Sequence, residues 1–323
     1  RAHTVKMQKA GRKYRQLYGV EFYFVPSLED WRDQYETHRQ QVRDAKSAKE
    51  QERLAKSPVV IIADDEVEQG GHVIEDEDET KKSAADKPEW KRYYHLVVVA
   101  KNQVGLGNLF TLVKKSYKHG FYRFPRIDYK MLKEHGEGLV VSTACVGGLA
   151  SGLIYRQFGG LRFDELHPDL MNNASDYNPI MNRLENMTDR FVDCVGPDNF
   201  FLEMQFNDLP AQHLTNRCLL DLSQKTGVPL IATADSHFPD PVKWQARELY
   251  KKLGWMGAKL DQSMLPKEED LKCKLYPKNA QQMWDEFKTG YDQYDFYKGH
   301  EENVRDAIER THDIAWQKCE DTW

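Results

Sequence analysis

From Tyr18 to Pro26 the chain reads YGVEFYFVP, β-branched and aromatic residues around a single acid, bounded by Gly19 and Pro26, and predicts a strand. Residues 27–57 change to Gln, Glu, Lys, Arg and Ala with few large apolar positions, the pattern of a helix that leaves most of its surface in water. Further on, strand-like segments at Tyr94–Ala100, Gly138–Val141, Asn199–Phe206 and Pro229–Ala232 alternate with helix-like segments at Gly107–Lys118, Gly147–Arg156 and Gln212–Thr226. That order predicts β/α units. The runs GLVV and VPLIAT carry no polar alternation, as expected of strands buried on both faces in a parallel sheet or, the preferred form, a closed barrel. From about Ala246 the pattern turns helical and irregular, with Trp, Tyr and Lys mixed through Lys251–Gly299, and it ends in a clear helix over Glu301–Trp316. The expected organisation is one α/β domain over residues 1–250 and a helical junction over 251–323.

Charge separates one further segment. The 323 residues carry a formal net charge of −5, yet residues 64–79 hold nine acids and no Lys or Arg, so the remainder stands at +4. Low hydrophobicity and self-repulsion in that run cannot offset the entropy of ordering it, so about 63–90 is expected to be a flexible surface insertion. No run approaches the ~20 apolar residues of a membrane helix. The five cysteines, Cys145, Cys194, Cys218, Cys273 and Cys319, show no CxxC spacing. A soluble protein of a reducing cytoplasm is the expectation. The chain opens at Arg1 in the middle of a basic, helix-like stretch, which suggests an N-terminally incomplete piece.

Four places carry candidate chemistry. In TADSH, Asp235 and His237 lie two residues apart after a buried run, so an extended backbone would project both to one face at a strand's carboxyl end. A carboxylate with an imidazole there suits zinc, manganese or iron, and the alternative is a hydrogen-bonded pair closing a loop. Cys145, in VVSTACVGG, is either a small buried hydrophobe or a thiolate ligand. Glu21 is the only charge in its strand and must find a cation, a donor or water. His95 opens HLVVVA, as a satisfied core histidine or a ligand. A separate basic and aromatic stretch, KKSYKHGFYRFPRID, interleaves Lys114, Lys115, Lys118, Arg123 and Arg126 with Tyr117, Phe121, Tyr122 and Phe124. Cations there would neutralise phosphates while rings stack on bases, and a helix end with snorkelling basic residues gives the same letters.

Taken in order, GVEFYFVP, YYHLVVVAKNQVGLGNLFTLVKKSY, HGFYRFPRID, GLVVSTACVGG, NFFLEMQ and GVPLIATADSHF resemble the PHP (polymerase and histidinol phosphatase) domain at the N-terminus of C-family DNA polymerases, the bacterial and phage DNA polymerase III α subunits. The resemblance covers most of residues 14–250, and KLYPKNAQQMWDEF with the final helix is similar to the segment that succeeds that domain in the family. It implies a distorted (β/α)7 barrel holding up to three divalent metals (Zn, Mn, Fe or Mg). The family's ligand positions fall on Glu21, His95, Cys145, Asp235 and His237, with Glu21 as a bridging carboxylate, His95 and Cys145 completing one metal's shell, and Asp235 and His237 holding others and acting catalytically. The family's remaining ligands would lie upstream of Arg1, and its polymerase palm beyond Trp323. The activity implied is metal-dependent 3'-5' exonuclease proofreading within a DNA-directed DNA polymerase. The partners implied are primer-template DNA, its single-stranded 3' end and other replisome subunits, without a membrane. The alternatives are a catalytically inactive PHP scaffold that stabilises the polymerase or docks a proofreading subunit, and a free-standing PHP phosphatase.

Overall fold

The computed structural model describes residues 2–11, 14–56, 92–256 and 273–321. The acidic segment at about 63–90 lies outside the described residues. Helices α1 (Ala2–Lys9), α2 (Leu28–Lys56), α3 (Gln103–His119), α4 (Tyr129–Glu134), α5 (Leu149–Tyr155), α6 (Ala174–Val195), α7 (Pro210–Thr226), α8 (Trp244–Met256), α9 (Ala280–Gln293) and α10 (Glu301–Asp313) accompany six strands. The strands are β1 (Tyr18–Phe24), β2 (Tyr94–Ala100), β3 (Arg126–Ile127), β4 (Leu139–Ser142), β5 (Phe200–Met204) and β6 (Leu230–Ala232). Two compact units result: Arg1–Pro26 with Tyr93–Trp323, and Ser27–Arg92.

In the second unit α2 behaves as its composition predicts. Ser27 accepts from the Asp30 amide at its start, Trp31 and Tyr35 stack one turn apart with ring centroids 5.2 Å apart, and nearly all positions after Tyr35 are exposed.

In the first unit the strands form one sheet in the order β3-β1-β2-β4-β5-β6. The β4-β5-β6 half is parallel, each connection passing through helix, and every residue of these strands is buried, as the unbroken apolar runs predict. The other half corrects the expectation of parallel pairing: β2 runs antiparallel to both β1 and β4. The reversal is confined to this strand: β3 is parallel to β1, and β1, β3, β4, β5 and β6 all run the same way, so a single inverted strand is set into an otherwise parallel order. Along β2 burial alternates strictly, with Tyr94, Leu96, Val98 and Ala100 turned into the core and His95, Val97 and Val99 to the other face. A helix outside the predicted alternation, α6, lays Ile180, Met181, Leu184, Met187, Phe191 and Val195 against the sheet at helical spacing, and its Phe191 stacks on Phe200 of β5 at 4.9 Å.

The C-terminal helices are bound to this body by specific polar contacts as well as apolar ones. The Tyr297 hydroxyl is fully buried and meets His213 Nδ1 at 2.8 Å and Asn216 Nδ2 at 2.7 Å, both on α7. Burial, opposed by the charge of Asp208, pushes His213 down to about 4, so it is neutral in the core. Ile314 and Cys319 close a buried cluster with Val140, Phe201 and Ile231, and Arg310 donates to the Leu230 carbonyl at the edge of β6 at 2.6 Å. No described helix is long and apolar enough to cross a membrane.

Candidate metal centre

Glu21 and His95 sit diagonally across the β1-β2 pair, because Tyr23 is the residue directly opposite His95 and Glu21 lies two positions back on the same face. Their side chains meet at 2.7 Å between Oε1 and Nδ1. The third group arrives from beyond β4. After Ser142 the chain turns through Ala144 at φ +59° and folds Cys145–Gly148 around the imidazole: the His95 amide donates to the Gly147 carbonyl at 2.9 Å, and Cys145 Sγ comes to 3.4 Å from Nδ1. A Cβ on Gly147 would stand 3.1 Å from His95 Nδ1, so any side chain there would have to push the imidazole aside by a few tenths of an ångström. Oε1, Nδ1 and Sγ thus converge from three separate segments within 4.8 Å of one another.

The electrostatics of the trio centre on the imidazole. The His95 pKa is raised to about 10, first by its hydrogen bond with Cys145 and then by Glu21, while the hydrogen bond from His95 holds the Glu21 carboxyl below its ordinary range. A proton on Nδ1 therefore lies where three donor atoms can share a positive charge. Carboxylate, imidazole and thiolate together are a donor set for zinc or another borderline divalent metal, so the residues present fit such an ion.

Asp235 and His237 reach the same region by a different backbone from the one expected. Strand β6 ends at Ala232, and Asp235 adopts φ +46°, so the two residues stand in a turned loop and do not share a face of an extended strand. His237 Nδ1 donates to the Asp235 main-chain carbonyl at 2.7 Å and lies 3.9 Å from the carboxylate. That bond fixes the proton on Nδ1 and leaves the ring's lone pair on Nε2. Burial raises the Asp235 pKa, with the negative charge of Glu21 adding and the histidines 237 and 95 opposing, which puts all four within electrostatic reach. The loop is pinned from outside: the amides of His237 and Phe238 both donate to the Leu275 carbonyl, at 2.8 and 3.1 Å.

Sequence reasoning missed Glu203. It is fully buried on β5 and accepts hydrogen bonds from Ser142 at the end of β4, from Thr233 just past β6 at 2.5 Å, and from Gln205 at 3.3 Å, while its amide donates to Thr143 Oγ1 at 2.8 Å. Burial drives its pKa up. The available signal was a single acid in the apolar run NFFLEM, the same signal that marked Glu21.

The basic stretch divides. Lys114, Lys118 and Arg123 are exposed, Lys115 pairs with Glu134 at 2.7 Å, and Tyr117 and Phe121 lie open to water with rings 6.2 Å apart. Arg126 belongs elsewhere. It is 2% exposed and donates from Nε to the Gly120 carbonyl at 3.0 Å, so it ties β3 to the end of α3 and cannot meet a phosphate in solution.

A mixed sheet with helices and a cluster of three donors, two on adjacent strands and one on the loop after β4, defines an α/β domain with the groups for binding a divalent metal. Residues 3–207 match the PHP domain family, and the chain belongs to that family, whose domains fold as a distorted (β/α)7 barrel. The chain is also similar to the N-terminal region of DNA polymerase III subunit alpha from several bacteria. It is 34% identical over 164 residues to that of Aquifex aeolicus (strain VF5), covering 51% of this chain and 12% of the relative. It is 30% identical over 231 residues to that of Borreliella burgdorferi, covering 72% of this chain and 17% of the relative. For Treponema pallidum the figures are 30% over 193 residues, 60% and 14%. The chain thus spans less than a fifth of the length of these relatives.

Proposed function

We propose that this PHP domain is the hydrolytic part of a replicative DNA polymerase, removing nucleotides from the single-stranded 3' end of DNA by metal-dependent phosphodiester cleavage. The observation that carries this reading is the convergence of Glu21, His95 and Cys145 on one point, with Asp235 and His237 in electrostatic reach of it. Bound divalent cations supply an activated water and neutralise the scissile phosphate.

The chain's own residues do the rest. Glu21 is 48% and His95 34% exposed at the side chain, so these donors are reachable by a substrate, while Cys145 Sγ lies 3.4 Å from the same Nδ1 and the Gly147 carbonyl accepts from the main-chain amide of His95. His237 keeps its proton on Nδ1 through the Asp235 carbonyl and presents Nε2 as a base or ligand. Asp235 is partly buried, and its raised pKa suits a carboxyl that passes a proton. The similarity to polymerase subunits supports a DNA substrate and replisome partners. The inactive scaffold is the weaker alternative, because a domain kept only for packing has no need of three donors converging on one point.

The test is Asp235→Asn in the full-length protein. Chelator-sensitive digestion of a single-stranded 3' end should fall at least 100-fold with the thermal unfolding midpoint unchanged, and digestion that persists in this variant would remove the assignment.

A further inference from the structure

Next to the candidate metal centre lies a group of rings with no role in the core. On β1 the residue two beyond Glu21 on the same face is Tyr23, and on the other chain segment the residue two before His95 is Tyr93. Tyr23 contacts His95 edge-on at 5.6 Å, Tyr93 at 4.7 Å and Phe124 at 4.8 Å between centroids, and Tyr93 meets Phe124 at 5.4 Å. The core sides of these strands are already filled by Phe22, Phe24, Tyr94 and Leu96. Tyr93 is 41% and Phe124 38% exposed, so the cluster turns ring surface to water beside the metal donors.

The turn that delivers Phe124 carries a cation. Tyr122 and Phe124 exchange backbone hydrogen bonds at 3.1 and 2.6 Å across a single residue, Arg123, which is exposed and held at φ +58°. Among the described residues only Arg123, Ala144 and Asp235 are non-glycines with positive φ, and the other two flank or belong to the candidate centre. Such conformations persist where the surroundings impose them, commonly at ligand-binding positions.

We propose that Tyr23, Tyr93 and Phe124 form a stacking platform for the terminal base of a single-stranded nucleic acid, with Arg123 pairing with a phosphate of the same strand. This rests on reading the adjoining donors as the hydrolytic centre. A flat aromatic surface accepts any base through its π-face, so the platform gives purchase on a strand end without sequence preference, and the cation gives the salt dependence.

The experiment uses the full-length protein in chelator, so that nothing is cleaved, and a short oligodeoxythymidine carrying 2-aminopurine at its 3' end. Binding should quench the 2-aminopurine. Phe124→Ala and Tyr93→Ala should each weaken binding roughly tenfold and relieve the quench, Phe124→Tyr should restore both, and Arg123→Gln should flatten the salt dependence. Unchanged affinity and quench in the Phe124→Ala, Tyr93→Ala double variant would overturn the platform. Equal quenching by a free mononucleotide would overturn the single-strand assignment in favour of a small phosphate ester. Because no cleavage is measured, loss of the hydrolytic reading in Asp235→Asn and loss of the platform are separate results.

Discussion

A buried carboxyl group sits at Glu203, and its hydrogen bonds decide which form it takes. Burial raises its pKa and no cation among the described residues bonds to it, so the neutral acid is the form the site favours. A neutral acid has one donor and one main acceptor, and a glutamine side chain reproduces both, toward Ser142 on one side and toward Thr233 and Gln205 on the other. Glu203→Gln should therefore change stability by less than ~1 kcal/mol, whereas Glu203→Ala, which strands the buried Ser142 and Gln205 and the half-buried Thr233, should cost roughly 2–3 kcal/mol in denaturant unfolding. A large loss in the Gln variant would mean that the group is ionised in the folded protein. The residue scale is also where the sequence was most and least informative. Glu21, His95 and Cys145 stand out because each is polar or ionisable beside a run of apolar letters, and Glu203 obeys the same rule. Arg126 misleads because its letter is shared with surface cations, while its partner is a main-chain carbonyl six residues back that no side-chain pattern records. The pairing of Asp235 with His237 misleads in its geometry, since a left-handed φ at an aspartate leaves no trace in composition.

At the scale of elements, the unbroken apolar runs read correctly as strands buried on both faces, and the sparse apolar positions of residues 27–57 as an exposed helix. The direction of β2 was not legible. Alternating strand and helix implies parallel pairing, and β2 runs against both of its neighbours although α2 lies between β1 and β2 and α3 between β2 and β4. Helix packing carries a sharper consequence. Gly107 and Gly290 both lie inside helices, α3 and α9, where alanine is favoured over glycine by ~1 kcal/mol. A Cβ at Gly107 meets nothing within 4 Å, but one at Gly290 would lie 2.6 Å from Cε1 of His213, a buried ring already fixed by Tyr297. Gly107→Ala should thus raise stability by about 0.5–1 kcal/mol. Gly290→Ala should lower it by roughly 1–3 kcal/mol, because neither the helix nor the imidazole can give way, and paired denaturation curves read both signs at once.

For the molecule as a whole, the test falls on the segment after the barrel. A boundary near residue 250 is a natural reading of a sequence whose regular alternation stops there, and the contacts across that point bear directly on the site. The loop that carries Asp235 and His237 hangs by two amide hydrogen bonds from the carbonyl of Leu275. Behind it, Ile314 and Cys319 cover Phe201 and Ile231, and the Arg15 guanidinium donates to the carbonyls of Ala315 and Trp316 at 3.0 Å each, tying the approach to β1 to the last turn of the chain. Removing these elements leaves the apolar surface of β5 and β6 in water and frees the 235–237 loop, while Glu21, His95 and Cys145 keep the contacts they make with one another. A chain ending at residue 250 should therefore lose the cooperative thermal transition of the longer chain, and should bind added zinc more weakly by at least tenfold in competition with a chromogenic chelator. An unchanged transition and unchanged zinc affinity would mean that residues 1–250 are self-sufficient and that the later helices only rest on a finished site; the two backbone bonds to Leu275 argue that they complete it.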